Sequence, residues 1–192
     1  LGHGLPVSTG IALSKKIKEE KGKVFVLLSD GELNEGSNWE SLLFLTHHNL
    51  NNLVIVIDYN KIQSLDFVRK TIKLQPLKDK FLSFGCKVSE INGHNEEQIS
   101  KAITKASKAN KPSIISCKTI IGFGSPNKSG KASSHGAPLG EDEIKLVRKK
   151  LKWNYEPFKI PNELLSEWKK IGEKSSQKAR KYEIKYKKVL CF

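Results

Sequence analysis

The chain has 192 residues, 38% of them hydrophobic, and a formal net charge of +14. That length and apolar content are enough for one core of ordinary size and place the chain among globular domains, with one domain and a C-terminal appendage as the expectation. No run of about eighteen or more apolar residues exists, and no basic segment followed by an apolar one opens the chain, so neither a membrane-spanning helix nor a signal peptide is read from it.

The charge invites a nucleic-acid reading, since clustered cations bind phosphate backbones. Yet only Arg69, Arg148 and Arg180 among the 34 basic residues are arginines, and the lysines are spread along the chain. Specific phosphate and base contacts recruit the planar fork of Arg, so solvated Lys surface is expected and nucleic acid is not the expected partner. Cys86, Cys117 and Cys191 are odd in number and show no C-x-x-C pairing, which argues against a disulfide framework and a zinc site. A reducing cytoplasm is the simplest compartment, with Cys86 and Cys117 as core thiols. The chain has no Met and opens on LGHGLPVSTG, which reads as the middle of a structural unit, so a fragment or a separately encoded half is expected.

In chain order, LPVSTGIALSKKIKEE at 5–20 predicts a helix with Val7, Ile11 and Leu13 to Ile17 as its apolar groups. Val24 to Leu28 is all apolar, the pattern of a strand buried on both faces of a parallel sheet. An acidic loop and a helix over NWESLLFLTHHN follow, with His47 and His48 read as a C-terminal cap or surface pair. Leu53 to Ile57 repeats the buried-strand signature and stops at Asp58, which implies a βαβ unit. LKDKFLSFG predicts a short helix and KVSEI a third strand. EEQISKAITKASKAN predicts an amphipathic helix with Ile99 and Ile103 on one face, and SIISCK a fourth strand. The loop IGFGSPNKSGKASSHGAPLG is of a length that is either functional or disordered. EDEIKLVRKKL then opens with acids and closes with bases, as a helix dipole favours. Beyond WNYEPFKIP, two further helices are expected, one around Leu164, Leu165, Trp168 and Ile171, the other around Tyr182, Tyr186 and Val189.

The pattern is a doubly wound α/β domain with a mainly parallel sheet over 1–150, followed by a helical connecting segment over 151–192. In such folds ligands bind beyond the carboxyl ends of the strands. Asp30, Asp58 with Asn60, and the loop from Gly122 to His135 all follow strands and are expected to converge on one edge. Asp30-Gly31 after an apolar run is also a hairpin signal, but the following segment is helical. A carboxylate and an amide oxygen thirty positions apart are hard donors suited to Mg²⁺ or Ca²⁺, so a divalent cation carrying a phosphorylated ligand is expected.

SDGELNEG followed by IDYNKIQ resembles the thiamine diphosphate motif of transketolases, which usually begins Gly-Asp-Gly and ends in an Asn about thirty residues later. The resemblance extends to LGHGLPVSTGIAL, to INGH, to KTIIGFGSPNKSGKASSHGAPLGEDEI and to WNYEPFKIP, in family order and over nearly the whole chain. It implies that the side chains of Asp30 and Asn60 and the main-chain carbonyl of Ile62 hold Mg²⁺ on the diphosphate of thiamine diphosphate. It also implies that Gly31 lets the backbone approach that diphosphate, and that Gly2, His3 and Gly4 lie in a cofactor loop, with His3 where many members have Gln. His135 is implied as the catalytic histidine that reaches the diphosphate and substrate region, and Glu35 and Glu40 as acids of the subunit contact. Glu32 is read as a first-turn acid of a helix and His94 as a residue that orders its loop. Ser29 replaces the usual Gly, and weaker cofactor affinity is the expected consequence if that position needs an unusual backbone angle.

The family's activity is transfer of a two-carbon ketol unit between sugar phosphates, and its pyrimidine-binding domain has no counterpart after residue 150. The resemblance therefore implies a half-site that needs a pyrimidine-domain chain or the C-terminal half of a transketolase, as a homodimer or heterotetramer, and that is inactive alone. Two alternatives stand beside it. Deoxyxylulose phosphate synthases and E1 dehydrogenases share the metal motif, although the 122–140 loop favours transketolase. A basic α/β module binding nucleic acid through its Lys-rich tail is the non-enzymatic reading.

Overall fold

The computed structural model describes residues 1–64 and 66–190, with side chains as far as Lys187. Cys191, expected only as part of the unpaired cysteine set, lies outside the described residues. The chain divides into two compact units, Leu1–Val147 and a second that begins at Arg148.

The first unit is an α/β layer structure. Helix α1 (Gly4–Ile17) leads to strand β1 (Val24–Ser29), a 3₁₀ turn over Gly31–Asn34, helix α2 (Gly36–His47) and strand β2 (Leu53–Tyr59). Short helices α3 (Val68–Thr71) and α4 (Leu77–Ser83) precede strand β3 (Lys87–Asn92), helix α5 (Glu96–Ser107) and strand β4 (Ser113–Lys118). A long loop with one 3₁₀ turn over Ala132–Ser134 then joins helix α6 (Glu141–Lys150). The four strands are all parallel, in the order β1-β2-β4-β3.

One face of the sheet packs on α1, α2 and α4. Leu5, Ala12, Leu42, Leu45, Leu77 and Phe81 close over Val26, Leu28, Ile55, Ile57 and Ile114, all essentially removed from water. Each such large side chain contributes about 1.5–3 kcal/mol by burial. The opposite face carries a smaller cluster in which Ala102 and Ala106 of α5 meet Val54 and Ile115. The small alanines let α5 lie close, so Ile103, expected at this contact, is exposed and Ile99 only half-buried.

The two apolar strand runs behave differently. Leu53 to Ile57 is covered on both faces, as its pattern implies. In β1 only Val26 and Leu28 are buried, while Phe25 and Leu27, 49% and 71% exposed, lie on the α5 face in register with Val54 and Val56, at an edge that α5 does not cover. Helix α1 departs from its expected face except at Leu13, which packs half-buried against the core. Leu5, Thr9 and Ala12 are buried, whereas Val7, Ile11 and Ile17 face solvent. Thr9 can be inside because its hydroxyl donates to the Leu5 carbonyl. The ammonium of Lys16 donates to the carbonyls of His48 and Asn49, closing the C-terminus of α2 beside the exposed His47 and His48.

In the second unit a single helix, α7, runs over Asn162–Leu190 where two were expected. Nothing in KKIGEKSSQK is strong enough to stop it: Gly172 alone costs about 1 kcal/mol, and no proline intervenes. No helix among the described residues is long and apolar enough to cross a membrane.

Candidate functional site

The strand order sets where a ligand can sit. The β1-to-β2 connection carries its helix, α2, on one face, and the β3-to-β4 connection carries α5 on the other. The carboxyl ends of the strands therefore form the edge at which a crevice opens, with Ser29 beside Asp58 and Tyr59 beside Lys118.

Asp30 is the first residue past β1, with its main-chain N–H on the Asp58 carbonyl. It is 0% exposed. Its Oδ2 accepts the Lys61 N–H at 2.6 Å, which ties the end of β1 to the turn after β2. Its Oδ1 is buried without a hydrogen-bond partner. Burial pushes the Asp30 carboxyl from 3.8 up to about 6, with the Asp58 charge adding to it and the Lys61 and Gly31 N–H groups opposing it. Asn60 accepts the Ile62 N–H at 2.9 Å through its side-chain oxygen, a local turn that leads to the buried Ile62. Lys61 between them adopts a left-handed φ of 68°. The structure thus brings Asp30 together with the 60–62 turn.

The N-terminal loop reaches the same edge. Gly2 has φ 74°, and a Cβ there would lie 2.7 Å from Glu35 Cβ and from Ser37 Oγ, so only Gly fits. The Gly2 N–H donates to Glu32 Oε1 at 2.9 Å, and the Ser37 hydroxyl donates to the Gly2 carbonyl at 2.6 Å. Glu32, read from sequence as a helix first-turn acid, therefore holds the loop of Gly2, His3 and Gly4. No local signal marked it, because its partner lies thirty positions away. His3 is exposed at the start of α1, and its carbonyl accepts the Val7 N–H. At Gly31 a Cβ would come within 3.1 Å of Gln63 Cγ, so the space beside Gly31 is filled by protein. Glu35 and Glu40 are exposed at the start and on the surface of α2.

The unusual backbone angle on which the Ser29 expectation depends is absent. Position 29 is regular strand paired with Asp58, with no left-handed backbone angle, and its Oγ accepts the Glu32 N–H at 3.1 Å. Ser here supports the 3₁₀ turn that a Gly would leave open.

The loop after β4 is anchored at both ends. The Thr119 hydroxyl donates to Asp58 Oδ1, and the Ile120 N–H donates to His94 Nε2 at 2.9 Å, with the His94 ring stacked on Phe123. Further on, the Glu143 carboxylate accepts from the Ser125 hydroxyl and from the main-chain and side-chain N–H groups of Asn127. These bonds hold the Glu143 carboxyl down at about 2, the Ser125 bond foremost. Ser134 donates to the Lys128 carbonyl and packs against Gly122. His135, next in sequence, is exposed, and its main-chain N–H donates to the Ala132 carbonyl at 2.9 Å. Cys86 and Cys117 are free thiols pushed up by burial, Cys86 to about 11, which suits a packing role.

Residues 1–190 match the model of the transketolase thiamine diphosphate binding domain. The chain belongs to the transketolase family. It is 36% identical over 192 residues to a transketolase of Rhodobacter capsulatus, covering 96% of this chain and 28% of that one. With a transketolase of Buchnera aphidicola it shares 39% identity over 204 residues, covering 97% and 30%. Among solved structures, a transketolase of Campylobacter jejuni superposes with TM-score 0.80 at 33% identity, over 84% of this chain and 27% of that one. A Pichia stipitis transketolase variant in complex with fructose 6-phosphate gives TM-score 0.83 at 29% identity, over 94% and 29%. The chain thus spans less than a third of the length of these transketolases. Among the described residues no group of three or more His, Cys, Asp and Glu forms a metal cluster. The set of Asp30, Asn60 and the Ile62 carbonyl is of a different kind, with one carboxylate, one amide and one main-chain oxygen.

Proposed function

We propose that this chain forms the diphosphate-binding half of a transketolase active site. The observation that carries this reading is Asp30, a fully buried carboxylate with an oxygen that no protein group satisfies, placed at a strand end beside the 60–62 turn. An orphaned buried oxygen is costly, and a cation offsets that cost. The residues present fit such an ion: Asp30, Asn60 and the Ile62 carbonyl are hard donors, and Mg²⁺ takes few protein ligands and leaves positions for phosphate and water. Ca²⁺ suits the same oxygens.

Gly2, His3 and Gly4 line the approach to the cofactor, held by Glu32, and Gly31 keeps the backbone turn beside the diphosphate narrow. His135, carried on the anchored loop, would be the catalytic residue of this half, reaching the diphosphate and substrate region. Bound thiamine diphosphate supplies the chemistry of moving a two-carbon ketol unit between sugar phosphates. This chain orients and neutralises the diphosphate, and the pyrimidine side comes from a pyrimidine-domain chain or the C-terminal part of a transketolase. Glu35 and Glu40, exposed on the first turns of α2, serve that subunit contact in a homodimer or heterotetramer. The division proposed is residues 1–150 for the cofactor and 151–192 for the connection, acting in the cytoplasm.

Calorimetric titration of thiamine diphosphate with and without Mg²⁺ tests the reading. Saturable binding that requires Mg²⁺ and is lost in Asp30→Ala is expected, with no sugar phosphate turnover by the chain alone. Binding indifferent to Mg²⁺ and to Asp30, or ketol transfer by the purified chain, would overturn it.

A further inference from the structure

Beside the Asp30 edge lies a second concavity, a cavity of about 600 Å³ lined by Tyr59, Lys61, Phe67, Val68, Arg69, Lys73, Leu74, Gln75, Glu90 and Lys118. It opens where β2 meets β4, at the carboxyl ends of the strands. There the order of the sheet reverses, the position at which open α/β sheets bind ligands. Asp30, Asn60, Ile62 and His135 are not among its lining residues.

The lining is strongly cationic. Lys61, Arg69, Lys73 and Lys118 converge on it from three separate segments, against one carboxylate, Glu90, which already faces Lys78 at 3.9 Å. Among the described residues, none of the four cations lies within ion-pair distance of an acid. Two of them are held by aromatic faces, with Lys61 Nζ 5.7 Å from the Tyr59 ring centre and Arg69 Cζ 5.4 Å from that of Phe67. The wall is braced as well: the Gln75 amide donates to the Tyr59 hydroxyl, and its oxygen accepts the Leu77 N–H at 3.1 Å. Like charges gathered in a concave, partly apolar site repel one another unless an anion sits among them. The volume is within the range of small-molecule sites, about 300–1,000 Å³, and is well beyond what a bare phosphate ion fills.

We propose that this cavity binds a phosphorylated small molecule with an organic body, its phosphate held by Arg69, Lys73 and Lys118 and its body against Tyr59, Phe67 and Leu74. The cavity borders the metal and diphosphate half-site at Lys61, whose N–H Asp30 accepts, but Arg69, Lys73 and Lys118, the groups assigned to the phosphate, are no part of that half-site, so the proposal can fail while that reading stands.

The test is calorimetry on the 192-residue chain at about 20 mM ionic strength, where screening is weak. The probes are glucose 6-phosphate, inorganic phosphate, glucose and a short poly-glutamate peptide. The phosphate ester is expected to bind saturably and more tightly than inorganic phosphate, with glucose silent. Arg69→Gln with Lys73→Gln, both at exposed positions, should weaken it about tenfold or more, since charge-assisted bonds to phosphate are the strong ones. Asp30→Asn should leave it unchanged, whatever happens to thiamine diphosphate. Five outcomes would overturn the proposal: no saturable binding of the ester, inorganic phosphate binding as tightly as the ester, affinity indifferent to the double substitution, affinity lost with Asp30→Asn, or displacement by poly-glutamate at lower concentration than the ester. The last would mark the cavity as a protein contact.

Discussion

Replacing Asp30 by Asn isolates the electrostatic cost stored at the sheet edge. The carboxyl is fully buried, with one oxygen on the Lys61 N–H and the other unpartnered, and burial raises it from 3.8 to about 6. A folded-state value above the unfolded one means that the fold prefers the protonated acid. The stability it contributes is complete below about pH 4 and is lost as pH rises through about 6. At 1.36 kcal/mol per pH unit the loss amounts to about 3 kcal/mol by neutral pH. Asn carries no charge at any pH, so the stability difference between variant and parent should shift by about 3 kcal/mol in favour of the variant between pH 3 and pH 8. The intercept of that difference depends on how the new amide group is accommodated; the shift does not. Urea unfolding of both proteins at the two pH values measures it. Mg²⁺ with thiamine diphosphate should stabilise the parent at pH 8, progressively less below pH 6 as protons compete for Asp30, and should not stabilise the variant. A difference independent of pH would refute the reasoning, because it would mean that Asp30 is ionised at no cost in the folded chain.

Three further substitutions probe the surroundings. Ser29→Gly removes the acceptor for the Glu32 N–H and loosens a regular strand end, so thermal unfolding should show a loss of about 1 kcal/mol with no gain in Mg²⁺-dependent thiamine diphosphate affinity. Lys61→Gly relieves a left-handed angle of 68° and should raise stability by about 0.5–1 kcal/mol, read from the urea midpoint. Glu143→Gln weakens the bonds to Ser125 and Asn127, so trypsin should cut after Lys128 and Lys131 faster than in the parent at neutral pH. Because its carboxyl is depressed to about 2, the parent loop should keep its protection above about pH 4.5 and lose it as pH falls toward 2.

Much of this fold was legible because parallel strands covered on both faces are unbroken apolar runs, as Leu53 to Ile57 is. The same composition at Val24 to Leu28 misled, since an apolar run does not reveal whether a helix reaches both its faces, and Phe25 and Leu27 are left in water. Helix α1 failed for a related reason: Thr9 satisfies its hydroxyl within its own helix and so can be buried in place of the larger Val7 and Ile11. At the site, Asp30 was legible as an acid where a strand ends, and the family motif pointed to Asn60. The holding role of Glu32 and the convergence of Lys61, Arg69, Lys73 and Lys118 were not, because both depend on contacts between segments far apart in sequence.

Left-handed residues and orphaned side-chain atoms occur in several parts of the fold, and at this edge the two meet. Lys61 takes a left-handed angle at a cost that Gly2, also left-handed, avoids, and Asp30 is a buried acid with an oxygen left open. Glu32 and the Lys61 N–H connect these positions across the ends of β1 and β2 and the start of α1. Strain and unsatisfied charge persist where the surrounding structure over-determines them, and they gather where a ligand offsets them. Here the surroundings are the core beneath β1 and β2, closed over by Leu5, Leu33 and Leu42, each at most 2% exposed. Loosening that core should therefore lower the proposed cation affinity before it unfolds the chain, because the orphaned oxygen of Asp30 is held in place only as firmly as the helices packed under it.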